Sequence, residues 1–187
     1  MDNQKTPERK KTLKTLDLAY IAIGAALITV CSWICIPSVI QFTLQTFAVF
    51  AVLLILGGKR GTLAVLLYMI MGAVGIPVFS GFAGGLGVLL GKTGGYIVGF
   101  LFMGLIYMLF LRLFGDKTVI RIIALVTGLL ICYAFGTAWF MVLYLKNTGP
   151  VGLMTVLTWC VFPFILPDLV KMALAFFLSG RVRRFIR

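Results

Sequence analysis

The chain has 187 residues, 61% of them hydrophobic and 12% charged, with a net charge of +12 and no histidine. Its mean hydropathy of +1.12 excludes a soluble domain, because a core of this size could not hide so much apolar surface. The bilayer must act as solvent, and no polar scaffold remains to present the basic residues to nucleic acid.

The basic residues mark the ends of apolar runs. Lys5, Arg9, Lys10, Lys11 and Lys14 come first, and residues 1–15 read as a cytoplasmic leader. A cleaved signal is disfavoured: the basic stretch is long, the next apolar run reaches spanning length and no small-residue cleavage site stands out. About 20 apolar residues cross a bilayer as a helix, and the first such span is expected over 16–36. In it, Ala22 and Ala26 stand four apart, a spacing that lets another helix approach closely. Cys31 and Cys35 share a face of this span but lack the further ligands a metal site needs, so no metal or cofactor is expected. The second and third spans are expected over 43–56 and 62–76, with "GKRG" between them. Thr43 and Gln45 begin the second, where they cap the helix or face a ligand.

The stretch "GGLGVLLGKTGG", residues 84–95, resembles a phosphate-binding loop but fails its spacing, because Leu86 stands where the first glycine is required. Seven glycines between 81 and 95 suit a flexible loop or, given the apolar residues of "GIPVFSGF", a structured lid over the outer mouth of the bundle. Spans four and five are expected over 96–114 and 119–145. Tyr96 and Trp139 lie at the outer level, where aromatic residues are common anchors.

Prolines 163 and 167 interrupt the last apolar region. Proline suits the first turn of a helix, so the sixth span is expected to begin at Pro167. Its 21 residues to Arg187 cover about 31 Å. Fourteen of the 17 lysines and arginines then lie on one side, which puts both termini in the cytoplasm. The expected architecture is an all-α integral membrane protein of six transmembrane helices in one domain, 16–187. Its extracellular loops fall at about 37–43, 77–95 and 146–166.

Asp168 and Lys171 share a face of the last span. Ionisable residues at membrane depth are expensive and face a cavity or each other. The pair is either a self-neutralising structural bridge or a recognition site for a small urea-like or amide ligand. Phe42 and Phe79 could add apolar walls.

"QFTLQTFAV", "GGKRGTLAVLLYMIMGAVGIPVF", "GGLGVLLGKTGGYIVGF" and "FPFILPDLVK" resemble the BioY family, the biotin-specific substrate-binding (S) components of energy-coupling factor (ECF) transporters. The resemblance runs from about residue 16 to 180. It departs at Gln41 and Lys92, where the family usually has proline, and at Leu166-Pro167-Asp168, where Pro-Gly-Asp is common. It implies a six-helix protein of the cell membrane that captures biotin from outside. It also implies a membrane T component and two cytoplasmic ATPases as partners, with residues matching Ala22 and Ala26 facing the T component. ATP hydrolysis would then belong to other chains, not to this one.

On this reading Asp168 accepts the ureido N–H groups, while Lys171 orients Asp168 or donates to the ureido oxygen. Tyr96, Gln45 and Thr43 add polar contacts. Phe42, Phe79 and Trp139 pack on the apolar part of biotin, and glycine-loop N–H groups meet its carboxylate. An S component for another small vitamin, a stand-alone facilitator and an intramembrane enzyme are the alternatives. The enzyme lacks any nucleophile, zinc or paired-carboxylate motif.

Overall fold

A computed structural model describes residues 14–36 and 41–186. Most of the expected leader, residues 37–40 of the first outer loop and Arg187 lie outside the described residues. The described residues are mostly helical, with one two-stranded pairing and an isolated bridge between Phe79 and Ala83. Its elements are α1 (Thr15–Trp33), β1 (Cys35–Ile36), β2 (Phe42–Thr43), α2 (Gln45–Ala73), a 3-10 turn at Ser80–Phe82, α3 (Leu86–Leu89), α4 (Gly94–Phe114), α5 (Thr118–Asn147), α6 (Leu153–Cys160) and α7 (Phe162–Ile186). Among the described residues, five stretches are long and apolar enough to cross a membrane.

The second of these is not straight. Gly57 has φ 81° and ψ 173°, a backbone state open to glycine at little cost. A Cβ built on Gly61 would stand 2.9 Å from the Leu53 Cα. Eight residues along one straight helix cover about 12 Å, so α2 reverses at Gly57 and its arms pack on each other. The arms match the two stretches expected over 43–56 and 62–76. The first arm is the middle of the molecule: Ala48 to Leu54 are each at most 2% exposed. A helix that is apolar on every side belongs inside. Around α2 pack α1, α4 and α7, and α5 packs on α4. Lipid gives no hydrophobic drive to this association, so close contact through small residues drives it. On α4 and α5, Gly99 abuts Cys132, Gly128 abuts Met103 and Gly136 abuts the Tyr96 ring. Ala22 and Ala26 are exposed on the outer face of α1, whereas Gly24 and Ala25 are buried.

The last region differs from expectation in two ways. The expected outer connection over 146–166 contains α6, and α7 begins at Phe162, not at Pro167. Pro163, not Pro167, occupies the first turn, and Pro167 lies inside the helix. It removes one backbone bond, to the Pro163 carbonyl, and a bundle can tolerate this where neighbours cover the gap.

Basic residues gather at one end. Arg60 pairs with Asp17 at 2.6 Å. Asp116, in the α4–α5 turn, binds Arg121 at 2.6 Å and Arg183 of α7 at 2.8 Å. The hydrogen bond from Arg121, then those charges and the Arg183 contact, hold the Asp116 carboxyl below its ordinary value against the opposing effect of burial. A depressed carboxyl contributes stability above the unfolded value of about 4 and loses it as pH falls through the lower folded value. Asp116→Asn should therefore lower the melting temperature slightly at pH 7, and the difference from the parent should close as pH drops below about 4. A gap that does not narrow at all as the pH falls below about 4 would show that charge is not the cause.

Candidate functional site

At the end opposite the Asp116 cluster, a partly open cavity is lined by α2, α4, α5, α6, α7 and the segments before α2 and α4. Asp168, Lys171, Gln45, Thr43 and Tyr96 all line it. These five expected residues lie up to 128 positions apart in sequence, and the fold brings them to one surface.

Asp168 is 1% exposed and Lys171 6%. The Lys171 ammonium donates to Asp168 Oδ1 at 2.9 Å, to Thr46 Oγ1 at 3.0 Å and to the Thr43 carbonyl at 2.7 Å. Its three N–H groups are thereby spent. Its charge also sits 4.2 Å from the centre of the Phe42 ring, a favourable placement for a desolvated cation. Thr46 passes its own proton to Asp168 Oδ1 at 2.8 Å, and the Tyr133 hydroxyl donates to Oδ2 at 2.6 Å. A carboxylate offers about four acceptor directions, so one remains, on Oδ2. The buried charges compensate each other, and every donor has a partner, the condition under which such a pair is tolerated.

The other polar groups are tied to the scaffold. Gln45 Nε2 donates to the Tyr68 hydroxyl at 2.8 Å. The Tyr96 and Thr137 hydroxyls lie 3.1 Å apart, and the Cys132 thiol points to the Tyr96 carbonyl at 3.6 Å. Apolar walls come from Ile97, Phe100, Leu129 and Phe164.

Three aromatic residues expected to pack on a ligand stand behind the lining instead. Phe42 stacks on Phe164 at 5.8 Å. Phe79 is 1% exposed and packs edge-on to Tyr68 at 5.4 Å. Trp139 donates its indole N–H to the Gly91 carbonyl at 3.0 Å, which fastens the glycine loop to α5. The loop is structured, as the lid reading requires, with Val88 and Thr93 turned to the cavity. The sequence reasoning did not find Thr46, Tyr133, Gln41, Ser80, Cys132 or Cys160, which also line the cavity. Thr46 had a signal, since it is one turn from Thr43 and adjacent to Gln45. Among the described residues no group of three or more His, Cys, Asp or Glu could hold a metal ion.

Comparisons with known proteins agree on one relationship. The model of the BioY family matches residues 5–187. A probable biotin transporter BioY of Pyrococcus horikoshii is 36% identical over 172 residues, covering 91% of this chain and 98% of that protein. The biotin transporter BioY of Thermotoga maritima is 38% identical, covering 87% and 92%. Among solved structures, the S-component for biotin from an ECF-type ABC transporter superposes with a TM-score of 0.78 at 25% identity, covering 92% of this chain and 95% of that one.

Proposed function

The chain belongs to the BioY family, and from that premise we propose that it is the biotin-binding S component of an ECF transporter. The observation that carries this reading is the buried Asp168, held by Lys171, Thr46 and Tyr133 with one acceptor direction unspent beside the cavity. Biotin's ureido ring offers N–H donors to such an acceptor. Because its three donors are engaged, Lys171 orients Asp168 rather than binding the ureido oxygen. Gln45, Tyr96 and Thr43 complete the polar contacts, and Ile97, Phe100 and Phe164 face the thioether ring. Phe42, Phe79 and Trp139 support this lining from behind. Backbone N–H groups of the glycine loop are the anchor for the carboxylate.

The two arms of α2 count as separate spans, which gives six crossings in one domain. The basic end faces the cytoplasm and the cavity opens outward. The protein resides in the cell membrane. A T component contacts the exposed Ala22 and Ala26 face, and two ATPases hydrolyse ATP, so the chain itself catalyses no reaction. Radiolabelled biotin binding to the purified protein tests the assignment, with other small vitamins as competitors. Biotin should bind and the competitors should not displace it. Asp168→Asn, which turns an ionic acceptor into a neutral amide, should weaken binding at least tenfold. Unchanged affinity in that variant would reject the role of Asp168, and displacement by a different vitamin would reject the ligand.

A further inference from the structure

Helix α7 has two faces with different surroundings. Lys171, Met172, Ala175 and Ser179 are buried against the bundle. One turn beyond Ser179, Arg183 ends that face on Asp116 at 2.8 Å. The other face carries Val170, Leu174 and Phe177, each more than half exposed. They follow one another three or four residues apart, so they form one stripe along the helix. Arg181 and Arg184 continue the same spacing and are also exposed. An apolar track thus runs to two guanidinium groups at the helix end.

Charge at this corner is not balanced. The α4–α5 turn and the end of α7 bring together Arg112, Lys117, Arg121, Arg181, Arg183 and Arg184 against one acid, Asp116. Its carboxylate binds Arg121 and Arg183. Arg112, Lys117, Arg181 and Arg184 form no ion pair among the described residues. The other described acids are engaged elsewhere, Asp17 with Arg60 and Asp168 with Lys171. Because Asp116 holds Arg183, the residues next to each in sequence, Lys117 and Arg184, are kept near each other. The Arg181 guanidinium lies 4.8 Å from the centre of the Phe177 ring, a favourable contact that fixes it where the apolar track meets water.

We propose that this corner binds an anionic phospholipid, with its phosphate among Lys117, Arg181 and Arg184 and an acyl chain along Val170, Leu174 and Phe177. Guanidinium groups hold phosphate through paired N–H donors, and basic clusters beside a membrane span attract anionic headgroups. A soluble anion would leave the apolar track uncovered, and an acidic protein surface could not follow that track into the bilayer. The ion pairs of Asp116 build the site by fastening α7 to the α4–α5 turn. The site lies at the end opposite the ligand cavity and is independent of what that cavity binds.

The test reconstitutes the protein in vesicles of phosphatidylcholine, alone or mixed with phosphatidylglycerol, and measures its melting temperature. The mixture should raise it by about 3 °C, since a lipid that binds the folded state stabilises it. The double variant Lys117→Gln with Arg184→Gln should lose most of that rise. Lys14→Gln with Lys59→Gln removes the same charge from exposed positions at the ends of α1 and the first arm of α2, and should keep it. Each rise is read against the same protein in phosphatidylcholine alone, so a change in the stability of the fold itself cancels. Mass spectra of the intact parent released from the mixture should retain phosphatidylglycerol in preference to phosphatidylcholine.

Equal loss of the rise in both double variants would mean diffuse attraction to surface charge and would overturn the site. Retention of the two lipids without preference would do the same. An equal rise on adding soluble glycerophosphate to phosphatidylcholine vesicles would mark an anion site only, with no role for the apolar track.

Discussion

Lys171→Met should destabilise the protein by about 3–5 kcal/mol, because it leaves a buried carboxylate without its counter-charge. Methionine fills nearly the same volume, so the loss is electrostatic and not one of packing. Asp168 would retain Thr46 and Tyr133 as donors, but hydroxyl groups do not neutralise a charge at 1% exposure. The double variant Asp168→Asn with Lys171→Met removes both charges and should recover more than half of the lost stability. Thermal melts of the purified protein in detergent measure both. Ligand binding should stay weakened in the double variant, since the ionic acceptor is gone. A single Lys171→Met that melts with the parent would mean that the pair contributes nothing to the fold.

Gly94→Ala should be the most damaging substitution in the glycine loop. A Cβ there would stand 1.8 Å from the Leu89 carbonyl oxygen and 2.4 Å from its carbon. Both are backbone atoms, so no side-chain rotation relieves the clash and the α3–α4 turn must open. Overpacking of this kind costs about 3 kcal/mol, and moving Val88 and Thr93 off the cavity should weaken the ligand about tenfold. Gly87→Ala is the control. It lies in the same loop, inside α3, with nothing within 4 Å of the added atom, and should change stability by less than about 0.5 kcal/mol. Comparable losses in both variants would mean that the loop needs flexibility at large rather than one close approach.

These two glycines also mark where sequence reasoning ended. Loop composition announced an unusual backbone, but only tertiary contact separates a glycine that must be small from one that need not be. The spans were legible because a bilayer imposes length and apolarity on every crossing. The sharp reversal at Gly57 was visible as "GKRG" between two short runs. Asp168 and Lys171 were legible because charge at membrane depth is rare. Thr46 and Tyr133, which hold Asp168, were not: hydroxyl side chains are ordinary in spans, and their partner lies 122 and 35 positions away. Pro167 misled for a related reason. Its local preference is to begin a helix, and the surrounding bundle overrode that preference. Phe42, Phe79 and Trp139 were expected as apolar walls and do not line the cavity, because sequence position does not decide which way a ring faces.

The inner arm of α2 carries Gln45 and Thr46 at its tip, and Ala48 to Leu54 behind them are shielded on every side. The large exposed apolar side chains are spread over α1, α5 and α7, whereas that arm offers no surface for lipid to reach. Changes in membrane thickness or lipid saturation would strain the peripheral helices first, while the element that presents the recognition groups is insulated. Ligand affinity in this protein should therefore vary little between thin and thick bilayers, even where the rate of passage does not.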